Sequence, residues 1–126
     1  MKTIISTPKA PAAIGPYSQG VLSGGFLFLS GQIPINPADG EVIQDDIKSQ
    51  TRQVLENIKN ILEAAEMAME DVVKATVFIK DIKNFQMVNE IYGEFFPQNP
   101  PARSLVEVSR LPKDVLIEVE VIARKH

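Results

Sequence analysis

Apolar side chains at Ile47, Val54, Leu55, Ile58, Ile61, Leu62 and Ala65, with Thr51 in the same stripe, recur at three- and four-residue spacing. This predicts an amphipathic helix over residues 46–66, opening on an acidic residue as the helix dipole prefers. A second helix is expected over 84–96, with Phe85, Val88, Ile91, Tyr92 and Phe95 on one side and Pro97 ending it. Elsewhere the period falls to two. Val73, Ala75, Val77 and Ile79 alternate with Lys74, Thr76, Phe78 and Lys80, and Val115, Ile117, Val119, Val121 and Ala123 alternate with Leu116, Glu118, Glu120 and Ile122. Shorter strands are predicted at 3–6, 17–21 and 103–108. A further one at 26–30 is apolar on both sides and is expected to be covered on both.

The class is therefore α+β, a mostly antiparallel sheet backed by two helices, with residues 1–126 forming one domain. Leu111-Pro112-Lys113-Asp114 is turn chemistry, so the last two strands are expected to pair as a hairpin. Two helices cover only one face of a sheet. Phe26, Phe28, Leu116 and Ile122 suggest apolar side chains on both faces, which predicts a homo-oligomer.

Composition removes several function classes. The net charge is −3, and the thirteen Lys and Arg are scattered, so the expectation is no nucleic-acid partner. With no cysteine and a single histidine, His126, neither a metal site nor a thiolate or Ser/His nucleophile is expected. No stretch approaches the ~20 apolar residues of a membrane span, and the start lacks a signal-peptide core. A cytoplasmic protein with no membrane partner is the expectation.

Chemistry is concentrated in four places. Arg103 follows the rigid pair Pro100-Pro101 at a strand start, where a guanidinium fork suits a small carboxylate; the plainer account is a surface ion pair. Glu118 and Glu120 stand between apolar neighbours, and a hairpin would bring one of them near Arg103, as catalytic group or as salt bridge. Gly15-Pro16-Tyr17-Ser18-Gln19-Gly20 and Ser30-Gly31-Gln32-Ile33-Pro34 put glycines and polar groups at strand boundaries, for ligand approach or for simple turns. Asn89 and Tyr92 border the second helix's apolar stripe, either lining a cleft or serving as a boundary amide and a packed ring.

In chain order these segments, with Val88-Asn89-Glu90-Ile91-Tyr92, Pro101-Ala102-Arg103-Ser104 and Arg110-Leu111-Pro112-Lys113-Asp114, resemble the reactive intermediate deaminase family, also called Rid, RidA or YjgF. The resemblance covers essentially the whole chain. It implies a chorismate-mutase-like fold and a homotrimer with intersubunit clefts. The implied reaction is hydrolysis of 2-imino acids, 2-iminobutanoate and 2-iminopropanoate, to 2-keto acids and ammonia, with no cofactor. By the same resemblance Arg103 binds the substrate carboxylate and Glu118 orients the attacking water. Tyr17, Ser30, Gly31 and Asn89 line the pocket, and Glu120 is structural. Many members have cysteine where this chain has Leu105. Imine hydrolysis needs no thiol, so the departure bears on substrate preference. The competing expectations are a non-enzymatic regulatory trimer binding a small acid in the same cleft, an RNA-directed translation inhibitor or endoribonuclease, and a holdase using the apolar oligomer surface.

Overall fold

The computed structural model describes residues 1–44 and 46–125; the expectation about His126 lies outside the described residues. The elements in chain order are β1 (Thr3–Ile5), β2 (Gly20–Ser23), β3 (Phe26–Leu29), β4 (Ile35–Asn36), β5 (Glu41–Val42), α1 (Ile47–Ala64), β6 (Val72–Ile79), α2 (Phe85–Phe95), β7 (Ala102–Glu107) and β8 (Ile117–Arg124).

Helix α1 begins where its acid can cap it. Asp46 is extended, and its side chain accepts from the Ser49 N–H at 2.9 Å, satisfying one of the free amides of the first turn. The helix ends as Glu66 turns to a φ of 60°. The predicted stripe is the buried one. Val54, Leu55, Ile58, Ile61 and Leu62 are fully enclosed, and Thr51 sits among them because its hydroxyl donates to the Ile47 carbonyl at 2.7 Å. Each buried aliphatic side chain contributes about 1.5–3 kcal/mol relative to exposure. Val88, Ile91 and Tyr92 of α2 join the same core, whereas Phe85 at its first turn is exposed.

The sheet order is β1-β2-β3-β8-β6-β7, antiparallel throughout except for the pair β6 and β7. The expected hairpin between β7 and β8 is therefore not formed, and β6 lies between them. Strands joined in parallel need a long crossover, and α2 supplies it between β6 and β7. The turn before β8 is a short 3-10 segment, Pro112–Asp114, with Lys113 and Asp114 both at a φ of 56°, braced by an Arg110–Asp114 ion pair at 2.7 Å.

Ala75, Val77 and Ile79 of β6 and Ile117, Val119, Val121 and Ala123 of β8 face the helices and are sealed. Val73 does not share that face as predicted. A bulge between Val72 and Lys74 breaks the alternation, burying Val72 and exposing Val73. The strand expected over 17–21 begins only at Gly20, since Pro16 offers no N–H and Tyr17 turns back to bond the Gly15 carbonyl at 2.8 Å. Strand β3 is covered on one side within the chain. Leu27 and Leu29 are buried, but Phe28 is 45% exposed because both helices pack on the other face.

The open face also carries Ile4, Val21 and Ile122 in register with Phe28, and Glu118, Phe78 and Val106 in register across β8, β6 and β7. Among the described residues no helix is long and apolar enough to cross a membrane.

Candidate functional site

Glu118 projects from the open face of β8, half-buried, into a cleft of about 410 Å³ lined by Ile14, Tyr17, Ser30, Gly31, Ile33, Pro112 and Glu118. Local backbone pairing sets this arrangement. Gln32 and Val119 exchange N–H···O bonds of 2.8 and 3.1 Å, which pins Gly31 directly beside the glutamate. A Cβ on Gly31 would lie 2.9 Å from Glu118 Cδ and overlap Oε2, so only glycine leaves the carboxylate its place. Burial raises the Glu118 carboxyl above the usual carboxylate range, and the neighbouring charge of Glu120 adds to the rise. Its oxygens accept no hydrogen bond from the described residues.

The cleft walls are held from behind by buried amides. Gln19 accepts from the Thr7 N–H at 2.7 Å and donates to the carbonyls of Thr7, Ala10 and Pro11 at 3.1, 3.3 and 2.7 Å. Asn57 of α1 donates to the Ile35 carbonyl at 3.0 Å and the Ile33 carbonyl at 3.4 Å. Ser30 Oγ donates to the Ser18 carbonyl at 2.6 Å, and Tyr17, half exposed at the mouth, accepts from the Ile14 N–H at 3.4 Å.

Arg103 lies elsewhere. It pairs in register with Ala75 and therefore points to the helix face of the sheet. There its Nη1 donates to Asn89 Oδ1 at 2.9 Å, and its guanidinium carbon lies 4.7 Å from the centre of the Tyr92 ring and 5.9 Å from that of Phe85. Phe85, Asn89 and Tyr92 are spaced by four and three residues and so line one side of α2. No carboxylate among the described residues pairs with Arg103, so the cross-strand salt bridge to Glu118 or Glu120 does not form. Leu105, two residues on, faces the same way and packs against the core.

One chain thus carries two groups of predicted residues. Tyr17, Ser30, Gly31 and Glu118 meet in the cleft, Arg103 and Asn89 meet on the helix side, and the sheet separates the two. The aromatic flanks of Arg103 are not marked by polarity in the sequence, and only the spacing of Phe85, Asn89 and Tyr92 signals them. The wall residues Ile14, Ile33 and Pro112 carry no polar signal either. Among the described residues no three His, Cys, Asp or Glu side chains are grouped to hold a metal ion.

Residues 7–125 match the family described as Endoribonuclease L-PSP. The chain belongs to this family, the YjgF/RidA family. Family relatives span the whole chain. A RutC family protein of Pyrococcus horikoshii is 60% identical over 126 residues, covering 100% of both chains. The 2-iminobutanoate/2-iminopropanoate deaminase of Escherichia coli is 54% identical over 126 residues, covering 98% of each. The crystal structure of Escherichia coli TdcF with bound serine has a TM-score of 0.94 at 48% identity, covering 98% of this chain and 99% of that one. The family description names an endoribonuclease, one relative is named as a deaminase and the others carry no activity in their names, so membership establishes the fold and a shared architecture.

Proposed function

We propose that this family member is a cytoplasmic hydrolytic deaminase that converts 2-iminobutanoate and 2-iminopropanoate to the corresponding 2-keto acids and ammonia, without metal or cofactor. Its active sites lie between copies in a homotrimer, Arg103 of one copy facing Glu118 of another. The observation that carries the reading is the pairing of opposites within one chain. An arginine with a free N–H edge lies on one face of the sheet, and a carboxylate of raised pKa, free of hydrogen bonds, lies in a cleft on the other. A bound 2-imino acid supplies what each lacks. Its carboxylate takes two N–H groups of Arg103, which fixes the adjacent C=N carbon. Glu118 orients a water and accepts its proton as the oxygen bonds to that carbon and the C=N pair moves onto the protonated nitrogen. The resulting carbinolamine loses its nitrogen as ammonia when the C=O forms, the proton held by Glu118 returning to the leaving nitrogen by way of the Tyr17 or Ser30 hydroxyl. Imines hydrolyse unaided, so modest barrier reduction suffices, at about 1.36 kcal/mol per tenfold in rate.

Two similar proteins support the small-acid substrate class: the Escherichia coli deaminase, which is named for these substrates, and TdcF, which was crystallised with serine. The net charge of −3 weighs against an RNA substrate, which would demand a basic surface. The test couples a threonine dehydratase to this protein with semicarbazide present to trap free imine. Less trapped imine with wild type than with Arg103→Ala is the expected result. Trapping by folded wild type equal to that without the protein would refute the deaminase and leave a small-acid-binding regulator, whereas trapping lowered equally by both would refute Arg103 as the anchor.

A further inference from the structure

The arginine anchor needs a defined orientation, and the structure holds it by an unusual combination. One guanidinium nitrogen is engaged by Asn89 Oδ1, and no other hydrogen bond to the guanidinium comes from the described residues. Two rings flank it besides, with the guanidinium carbon 4.7 Å from the centre of Tyr92 and 5.9 Å from that of Phe85. The two rings are not equivalent. Phe85 is 41% exposed, while Tyr92 is 7% exposed and packed against Phe96 at 4.7 Å between centroids, so Tyr92 is itself immobilised. Its hydroxyl is buried with no hydrogen-bond partner among the described residues. An unpaired buried hydroxyl detracts from stability. The contact with Arg103 is therefore made by the ring and not by the hydroxyl. What the side chain offers Arg103 is the face of an electron-rich ring, to which a cation is attracted most strongly where water is excluded.

We infer that Tyr92 is a positioning residue for the carboxylate anchor: its ring is the platform on which the Arg103 guanidinium lies, while Asn89 fixes the rotation of the fork and leaves the remaining N–H edge free for a ligand carboxylate. The inference rests on the reading of Arg103 as the anchor and extends it to a residue that acts through that arginine. Because an Arg held this way loses little rotamer freedom on binding, the platform acts on affinity for the carboxylate before it acts on the chemical step.

The experiment measures binding of 2-oxobutanoate to the full-length assembled protein by calorimetry, in wild type, Arg103→Ala, Tyr92→Phe and Tyr92→Leu, with KM and kcat for the imine alongside. Arg103→Ala is expected to abolish binding. Tyr92→Leu weakens it by about tenfold, within the range of a desolvated cation–π contact, and raises KM more than it lowers kcat. Tyr92→Phe, which keeps the ring, restores most of what Tyr92→Leu loses. Should Tyr92→Leu fail to fold, Tyr92→Met serves as the ring-free variant. If Arg103→Ala abolishes binding but the ring-free variant binds as wild type does, the platform is overturned while the anchor stands. If Tyr92→Phe loses as much as Tyr92→Leu, the hydroxyl is the working group and the platform is overturned too. Wild type that binds no 2-oxobutanoate, or binding that survives Arg103→Ala, overturns anchor and platform together.

Discussion

Arg103 and Glu118 face opposite sides of the sheet with β6 between their strands, so a single chain cannot apply both to one small substrate. Mixing two inactive variants tests this directly. Arg103→Ala lacks the anchor and Glu118→Gln lacks the base, and each alone should lose at least ~100-fold in turnover, the first through lost positioning and the second through lost general-base catalysis. When equal amounts are unfolded together and refolded, each interface draws its arginine from one subunit and its glutamate from another. An interface is intact only when the arginine comes from a Glu118→Gln chain and the glutamate from an Arg103→Ala chain, so about one site in four is complete. The semicarbazide competition should then recover about a quarter of wild-type activity per site, from two preparations that are each almost inactive. Mixing native proteins without unfolding controls for subunit exchange. Failure to recover activity, with mixed assemblies verified by mass spectrometry, would mean that the two residues do not act in one intersubunit site.

Gly31→Ala should leave stability within about 1 kcal/mol, because the clash is with the movable end of Glu118 and the chain loses entropy in its unfolded state. Turnover should nonetheless fall by about 100-fold as the carboxylate is displaced, and the loss should vanish in a Glu118→Gln background, where kinetics of the double variant check it. The Glu118 carboxyl is raised in the folded state, so the native protein binds its proton more tightly than the unfolded chain does. That contribution to stability is complete below the unfolded pKa and is lost as pH rises through the folded one. Thermal melts should therefore find Glu118→Gln at least as stable as wild type at pH 7, and relatively less favoured in acid. Wild-type kcat should rise with pH through a value above the ordinary glutamate range and flatten in Glu118→Gln. Gln19→Ala strips four hydrogen bonds from the cleft wall. It should cost about 2 kcal/mol in denaturant melts and speed amide exchange across residues 7–19.

Local patterns were legible in the sequence and long-range pairings were not. Helix α1 was readable because its apolar stripe and its cap are properties of consecutive residues. The β7–β8 hairpin was misjudged because turn residues at 111–114 suggest neighbours, whereas pairing was decided by α2, whose length demands a crossover and makes β6 and β7 parallel. The strand–helix–strand order of β6, α2 and β7 already contained that alternative. Val73 shows the limit of a period-two reading, since a bulge shifts the buried side by one residue and leaves no mark in composition. For the site, the polar residues Arg103, Asn89, Glu118 and Ser30 announced themselves. Their grouping into two clusters did not, because it depends on which face of the sheet each strand turns toward the helices. The aromatic flank of Arg103 was hidden for another reason, since Phe85 and Tyr92 look like ordinary members of an apolar stripe.

The open face links assembly to chemistry. Ile4, Phe28 and Val106 are 52%, 45% and 44% exposed there, and burying the remaining half of each against another copy would contribute about 0.7–1.5 kcal/mol. Glu118 lies on the same face, so whatever covers the apolar residues also removes water from the carboxylate. Desolvation is already the main cause of its raised pKa in one chain, and further covering drives the pKa in the same direction, toward the operating range of a general base. In the proposed assembly the Arg103 of a second copy would oppose this with its charge, and a substrate carboxylate seated on that arginine would neutralise it. The base is then strongest when substrate is present and weakest when the site is empty. In the proposed intersubunit site, the contact that supplies the anchor would therefore also set the proton affinity of the group across from it.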